Sequence, residues 1–346
     1  MNPAIELFRG IAAWMVLTSH YAYLFTSERT ILNFLWTGVD FFFVISGFVF
    51  AKNIYNGNFA LIPYFIRRFC RIYPLYFFSL LLYYLVVADT PDKIIIFIKH
   101  LFFLQTTSSI PETFFFNAAY WSLPVEVEFY LCLPLLAILT AKYKQFILLL
   151  LIFFLFIKLG LAYYSTPILQ PNNYTILAFH LPGLLIEFLV GTLLYKIYQY
   201  YQKVELNKYS HILLIMTSLL LLYGLSHFFV ENGDVGIEQH ILFKAYFNFF
   251  CAIAYAILLF PFFFLIKIQQ TKIVKLCMIM GNLSYGVYLF HNLIPHLFAQ
   301  IGYTLTGGFA YFVYLMIVII MSLLLFYTLE EPFRRLGKNW SRYLVK

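Results

Sequence analysis

Long apolar runs separated by short polar connections account for almost all of the sequence. Ten of the runs come close to the roughly 20 residues that a helix needs to cross a bilayer. They lie at about 4–26, 32–52, 72–90, 121–140, 145–164, 179–199, 211–230, 244–266, 278–300 and 309–330. A shorter run over 94–104 falls below that length and is expected to be interfacial or re-entrant. The pattern predicts an all-α fold: a polytopic membrane helical bundle of about ten transmembrane helices.

The composition fits a membrane protein and excludes several other classes. Of the 346 residues, 63% are hydrophobic and 11% are charged, against roughly 25% charged in a soluble domain. The net charge of +8 does not indicate nucleic-acid binding, because the basic residues are scattered between apolar runs. The four cysteines lack metal-ligand spacing, so free thiols and no metal site are expected. We expect one integral membrane domain over 1–346, with no appended soluble domain.

The distribution of basic residues predicts the orientation of the chain. Most of the 23 Lys and Arg residues lie in the connections after even-numbered runs and in the C-terminal tail. Connections rich in Lys and Arg stay on the cytosolic side of a membrane. Both termini are therefore expected to be cytosolic.

An arginine and a histidine lie on one face of the first apolar run. Arg9 and His20 are eleven residues apart, which is about three helical turns, so they share a face and lie about 16 Å apart along it. Charged groups inside spans are costly and are candidates for function. Each residue also has an ordinary alternative, since Arg9 could reach lipid headgroups and His20 could be a packing histidine.

Carboxylates in other runs are expected at nearly the same depth as His20. Counting inward from the outer ends of the runs places Asp40, Glu126 and Glu187 in this layer, with His291 slightly deeper. A histidine beside carboxylates is the arrangement of a general base, with Asp40 or Glu126 orienting the imidazole. The alternative is a set of hydrogen bonds that hold the helices together. The sequence assigns no role to Glu128, Glu187 or His291.

An arginine cluster is predicted at the cytosolic rim. Arg67, Arg68 and Arg71 come together if this segment is helical, because they are spaced i,i+4 and i,i+3. Guanidinium clusters bind phosphate groups in a bidentate manner. The alternative is the ordinary positive charge of a cytosolic connection in contact with lipid headgroups.

Six motifs, in order along nearly the whole chain, together resemble the acyltransferase-3 family of bacterial membrane acyltransferases. They are Arg-x10-His at Arg9 and His20, Gly-Val-Asp-Phe-Phe-Phe-Val-Ile-Ser-Gly-Phe at 38–48, Arg-Arg-x-x-Arg-Ile-x-Pro at 67–74, Trp-Ser-Leu-x-Val-Glu-x-Glu-Phe-Tyr at 121–130, Ser-Tyr-Gly-Val-Tyr-Leu-Phe-His at 284–291 and Glu-Glu-Pro-Phe-Arg at 330–334. Members of this family O-acylate polysaccharides and other envelope molecules.

The resemblance implies a reaction and a location. The reaction is transfer of an acyl group, commonly acetyl, from cytosolic acyl-CoA to a hydroxyl of an envelope polysaccharide such as O-antigen, capsule or exopolysaccharide, or of its lipid-linked form. The location is the bacterial inner membrane. Arg9 and His20 would be the essential pair. The arginines Arg67, Arg68 and Arg71 would then bind the CoA phosphates.

Departures from the family pattern leave the acceptor open. Pro124, Val127 and Asn292 stand where Ser, a polar residue and Trp are frequent in relatives. A lipid or small-molecule acceptor is therefore an alternative. A glycan or lipid transporter that uses the same buried charges is a further alternative, although the sequence has no clear internal repeat.

Overall fold

The computed structural model describes residues 2–57, 60–107, 109–143, 145–165, 171–202, 207–266 and 271–344. Sixteen α-helices and no strand occur in these ranges: α1 Pro3–His20, α2 Ile31–Phe34, α3 Gly38–Asn56, α4 Leu61–Val86, α5 Lys93–Leu101, α6 Ile110–Thr113, α7 Ser122–Lys142, α8 Phe146–Tyr164, α9 Pro171–Phe179, α10 Leu181–Tyr201, α11 Lys208–Gln239, α12 Ile241–Leu265, α13 Thr271–Phe290, α14 Leu293–Gln300, α15 Gly307–Leu325 and α16 Glu331–Tyr343. Lys144, Lys203, Lys267 and Lys346, which contributed to the predicted orientation, lie outside the described residues.

Within the described ranges, nine helical segments are long and apolar enough to cross a membrane. They are Ile31–Asn56, Leu61–Val86, Ala118–Lys142, Phe146–Tyr164, Asn172–Tyr201, Lys208–Gln239, Ile241–Leu265, Thr271–Phe290 and Gly307–Tyr343. The prediction of an all-α polytopic bundle is confirmed. The first predicted span corresponds to α1, which is not among the nine. Because α1 carries Glu6 and Arg9, its average apolarity is lower, and its crossing of the membrane stays a prediction.

Helix α1 lies inside the bundle. Ala4, Ala12, Ala13 and Leu17 are all completely buried. A Cβ atom added at Gly10 would lie 2.6 Å from the Cβ of Met280 on α13, so the two backbones pack closely. Small residues allow such close approach between membrane helices. The residues of α1 are therefore surrounded by other helices.

A similar close approach joins α3 to α10. A Cβ atom added at Gly47 would lie 1.9 Å from the Phe188 carbonyl oxygen, and one added at Gly191 would lie 1.9 Å from that of Val44. Neither position tolerates a larger side chain without separating the helices. Together with α1 and α13, these helices form the centre of the bundle, while α8, α11 and α15 expose many apolar side chains.

Two predicted spans differ from the observed helices. The span expected at 72–90 begins eleven residues earlier, because α4 starts at Leu61, and the arginine cluster is therefore helical. The single span expected at 278–300 is wrong, because α13 ends at Phe290 and α14 begins at Leu293. Pro295 accounts for this break, since it has no N–H to donate to the carbonyl of His291 four residues before it.

The connection between α5 and α7 folds into the bundle instead of lying on its surface. Gln105, Thr106 and Tyr120 are completely buried, and Asn117 is 1% exposed. Helix α7 therefore begins at a buried residue, Ser122.

Candidate active site

A partly open cavity, here called the arginine cavity, lies between α1, α3, α4, α7 and α13. It has a volume of about 80 Å³, and its charged lining residues include Arg9, Arg68, Arg71 and Glu126. Three guanidinium groups thus face one carboxylate from the cavity wall. Such a site favours an anionic ligand, because arginine forms bidentate hydrogen bonds with phosphate and carboxylate groups.

Two of the three guanidinium groups are held in place by neighbours. Arg9 Nη1 lies 3.2 Å from Glu6 Oε2, one helical turn before it. The Arg68 guanidinium lies over the ring of Phe50, 4.9 Å from its centroid, and 5.8 Å from that of Tyr130. Arginine stacks well on aromatic faces. The Nε of Arg68 is buried without a partner among the described residues, so it is available to a ligand.

Glu126 belongs to the arginine cavity and not to the surroundings of His20. Its carboxylate accepts hydrogen bonds from the hydroxyls of Tyr130 and Ser46. Glu126 does not meet His20 in the described contacts, so the prediction that it could orient the imidazole finds no support.

Arg67 points away from the other two arginines of the cluster. Its Nη1 donates to Ser341 Oγ on α16 at 3.2 Å, and its side chain is not part of the cavity lining. The spacing i,i+3 brings Arg68 and Arg71 to one side of α4. The structure therefore brings together two of the three arginines assigned to a phosphate site.

A second and larger cavity, here called the histidine cavity, includes His20 in its wall. It is open and has a volume of about 980 Å³. Its aromatic lining residues include Tyr23, Trp36, Trp121, Tyr174 and Phe247, and its polar ones include Glu28, Arg29, Lys158, Asp234, Glu238, Lys244 and Asn248. Charges of both signs alternate with aromatic rings around this cavity.

The hydrogen-bonding partner of His20 is a second histidine. His20 Nδ1 lies 2.7 Å from His291 Nε2, and the planes of the two rings are nearly parallel, with their centroids 4.9 Å apart. His291 is completely buried. The expectation that Asp40 or Glu126 orients the imidazole finds no support in these contacts.

Side chains from other helices hold His291 at the break between α13 and α14. The carbonyl of His291 accepts a hydrogen bond from the hydroxyl of Tyr21. The carbonyl of Leu289 accepts one from Asn117 Nδ2 at 2.9 Å, and Asn292 Nδ2 donates to Asn117 Oδ1 at 2.8 Å. Non-helical backbone inside a membrane bundle needs such partners, because its polar groups have no water to bond.

Asp40 is not a partner of His20 among the described contacts, although Asn248, which bonds it, lines the histidine cavity. Asn248 Nδ2 donates to Asp40 Oδ1 at 2.9 Å, and Asp40 is completely buried. Gly38 faces the Ala12 carbonyl of α1, so a side chain two residues later points away from α1. This turn of the helix explains why Asp40 does not reach His20.

Glu187 and Glu128 have partners that the sequence did not indicate. Glu187 Oε1 lies 2.6 Å from Lys158 Nζ, and both side chains are almost completely buried. Glu128 accepts from the backbone N–H of Leu181 at 2.7 Å and contacts His180 at 2.6 Å. The bond from Leu181 gives a partner to a backbone N–H in the first turn of α10, which has none within the helix. Glu128 therefore has a structural role.

A partition separates the two cavities, which share no lining residue. Trp121 lines the histidine cavity, whereas its neighbour Ser122 lines the arginine cavity. On the arginine side, the hydroxyls of Ser122 and Tyr288 are 2.5 Å apart, and the Tyr288 ring packs edge-on against Phe42. Trp121 and Ser122 thus belong to the wall between the two cavities.

Several residues of the site were not singled out by the sequence reasoning. Tyr21, Asn117 and Asn248 are ordinary polar residues in or beside apolar runs, so only their contacts reveal them. Pro295 was a usable signal, because a proline four residues after His291 frees its carbonyl. In the part of the chain that the structure describes, no group of three or more His, Cys, Asp or Glu residues could hold a metal ion.

Comparisons with known proteins agree on one family. The model of the acyltransferase-3 family, described as an acyltransferase domain, matches residues 2–331. A protein of Acidianus two-tailed virus named "Putative acetyltransferase ORF330" is 27% identical over 318 residues, covering 90% of this chain and 88% of its own. An uncharacterized protein of Haemophilus influenzae is 29% identical over 223 residues, covering 57% of this chain and 89% of its own. No solved structure matches the chain. The chain belongs to the acyltransferase-3 family.

Proposed function

We propose that this membrane acyltransferase moves an acyl group, most simply acetyl, from cytosolic acyl-CoA to a hydroxyl of a cell-envelope glycan. In this proposal the protein lies in a bacterial inner membrane with both termini in the cytosol. The CoA phosphates bind in the arginine cavity on Arg68, Arg71 and Arg9. The glycan enters the histidine cavity, where His20 acts as general base.

The observation that carries the proposal is the position of α1 between the two cavities. Arg9 on this helix lines the arginine cavity, and His20 lines the histidine cavity. Eleven residues of helix separate them by about 16 Å. An anion-binding site and a base at opposite ends of one helix suit a long donor that is anchored at its phosphates and reacts at its thioester.

The transfer step then follows from these positions. His20 removes the proton from the acceptor hydroxyl while the oxygen attacks the thioester carbonyl. A carbon–oxygen bond forms, the carbon–sulfur bond breaks, and the CoA thiolate leaves with the proton returned by His20. The thioester has to cross the partition beside Ser122 and Tyr288 to reach the base. This is direct attack; a route through a covalent acyl-enzyme would divide it into two transfers, the first to a nucleophile of the protein and the second from that nucleophile to the acceptor.

The lining of the histidine cavity supports a glycan as the acceptor. Sugars present hydroxyl groups at their edges and apolar faces between them. Carboxylate and amide side chains such as Asp234, Glu238 and Asn248 can bond hydroxyl groups, while Trp36 and Tyr174 supply flat apolar surfaces. A lipid acceptor has fewer hydroxyl groups to bond these polar side chains.

The partition between the cavities favours an enzyme over a transporter. A transporter alternates access to one binding site from both sides of the membrane. Here the two cavities have different linings and different charge. Two substrates that enter separately and react at a common wall account for this difference.

Acyl transfer by membranes that contain variants of His20 tests the proposal. Membranes of a strain lacking the native gene, which express either wild type or His20→Gln, receive [1-¹⁴C]acetyl-CoA, and alkali-labile label in the glycan fraction is counted. Loss of a general base lowers the rate by roughly 10²–10⁴-fold. His227→Gln is the matched control, because His227 is 55% exposed and pairs only with Glu231 of its own helix among the described contacts.

Two results would contradict parts of this proposal. Near wild-type incorporation by well-expressed His20→Gln would remove the base assignment. Label that depends on the protein but appears in the lipid fraction would replace the glycan with a lipid acceptor.

A further inference from the structure

The contact between His20 and His291 determines which ring nitrogen of His20 carries the hydrogen. We infer that His291 is a positioning residue: it fixes His20 in the tautomer whose free Nε2 can accept a proton. This inference rests on the proposed role of His20 as general base. It assigns a role to His291, a residue to which the sequence gave none.

The first step concerns the hydrogen on His291. His291 Nδ1 lies 3.1 Å from the carbonyl oxygen of Val287, one turn earlier on α13. A carbonyl oxygen accepts hydrogen bonds and has no hydrogen to give, so Nδ1 must carry the proton. A neutral imidazole has only one N–H. The Nε2 of His291 is then an acceptor.

The second step transfers this constraint to His20. Because His291 Nε2 can only accept, the nitrogen 2.7 Å away, His20 Nδ1, must donate. The single N–H of neutral His20 is thereby used in this bond. Its Nε2 keeps a free lone pair, and the His20 side chain lines the histidine cavity. A base in the correct tautomer therefore faces the space proposed for the acceptor.

The third step is the rigidity of the arrangement. His291 is completely buried, so water cannot take its place beside His20. Its backbone carbonyl is held by Tyr21, the residue directly after His20. The rings of the two histidines differ by only 12° in plane. The orientation of His20 is thus fixed through its own side chain and through the adjacent residue.

The same contact supports the charged state during transfer. When Nε2 of His20 takes the hydroxyl proton, the ring becomes a cation and Nδ1–H becomes a stronger donor to His291. His291 remains neutral throughout, and the proton later leaves from Nε2 to the thiolate. A carbonyl and a neutral histidine thus do the positioning that a carboxylate does in many sites with a general-base histidine.

Two substitutions at one position separate positioning from packing. His291→Gln keeps one acceptor for His20 and one donor for Val287, whereas His291→Leu fills a similar space and keeps neither. We expect His291→Leu to lower kcat by roughly 10- to 100-fold, the usual cost of losing an orienting partner. The KM for acetyl-CoA should not change, because His291 is outside the arginine cavity. His291→Gln should recover most of kcat.

A spectroscopic measurement tests the tautomer without any turnover. Solid-state NMR of ¹⁵N-histidine-labelled protein in lipid bilayers distinguishes protonated from bare ring nitrogens. We expect His20, assigned by the signal lost in His20→Gln, to show a protonated Nδ1 and a bare Nε2. The His291→Leu variant should lose this preference. A protonated Nε2 on His20 in the wild-type protein would overturn the inference.

The outcomes distinguish this inference from the proposed function. If His20→Gln keeps its activity, the assignment of the base fails and the role of His291 fails with it. If His20→Gln is inactive while folded His291→Leu keeps wild-type kcat, only the inference about His291 fails. Should His291→Leu not fold, His291→Gln and the wild-type NMR signals decide the question.

Discussion

Neighbouring arginines on α4 have different surroundings, although the sequence treats them alike. Arg68 lines the arginine cavity, whereas Arg67 is exposed and bonds Ser341. If Arg68 binds a CoA phosphate, Arg68→Gln loses at least one charge-assisted hydrogen bond, which is worth about 1.5–3 kcal/mol. The KM for acetyl-CoA should then rise by roughly 10- to 100-fold.

The matched variant Arg67→Gln controls for the loss of a positive charge from this part of the helix. Its KM should stay within about twofold of the wild-type value, because it only loses a partly exposed hydrogen bond. Initial rates in detergent micelles over a range of acetyl-CoA concentrations give the KM values of both variants. An equal rise in KM for the two variants would place the phosphates outside the arginine cavity.

At this scale the sequence singled out residues that line the two cavities, but not the residues that they contact. Arg9 and His20 stood out because charge inside a membrane is expensive, and the structure places each of them at a cavity. The partners of His20 could not be predicted in the same way. Depth along a helix was estimated from where apolar runs begin, and such counting does not show which side chains of different helices meet.

The short helix α5 makes the stability of the protein depend on pH. Helix α5 carries His100, which is completely buried and donates from Nδ1 to the Ile96 carbonyl at 2.8 Å. Burial lowers the pKa of His100 to about 4, although Glu112 acts in the opposite direction. Between pH 6.5 and about 4 the unfolded chain therefore binds more protons than the folded one, and the free energy of unfolding falls with falling pH.

We therefore expect His100 to make the protein less stable in acid. The loss across this interval from His100 alone is up to roughly 3 kcal/mol. Replacing it by Phe, beside the rings of Phe116 and Tyr120, removes the titrating group. The melting temperature of His100→Phe in detergent should depend less on pH between 6.5 and 4. The exposed His227→Phe should keep the wild-type dependence, and parallel curves for all three proteins would contradict the assignment.

Hydropathy locates the helices of this chain but does not show where a helix breaks within an apolar run. Apolar runs locate helices because a helix must satisfy its own backbone in lipid, and nearly all of the predicted runs are helical. Hydropathy alone does not detect a break such as that at His291, since Leu293 and Ile294 continue the apolar run after it. A proline four residues downstream marks the break through hydrogen bonding, which a scale of apolarity does not include.

The whole molecule places two cavities of different character at the two ends of α1. Fold class followed from composition, because so few charges and so many apolar residues leave only a membrane bundle. The presence of two cavities beside α1 could not be predicted from composition, because it depends on how helices distant in sequence cross. Gly10, Gly47 and Gly281 allow these crossings by removing side chains at the contacts, and a single sequence does not show which helix each glycine faces.

The orientation of the two cavities across the membrane is the last prediction. If both termini are cytosolic, the histidine cavity opens to the outside and α16 lies in the cytosol. Ser27, at the wall of the histidine cavity, and Asn339, on α16, are both exposed. In spheroplasts, a membrane-impermeant maleimide should label Ser27→Cys at once and Asn339→Cys only after permeabilisation. Wild-type protein is the control for the native thiols, of which Cys70, Cys251 and Cys277 are buried. The opposite order of labelling would place the base on the cytosolic side, and the acceptor would then have to be a cytosolic molecule.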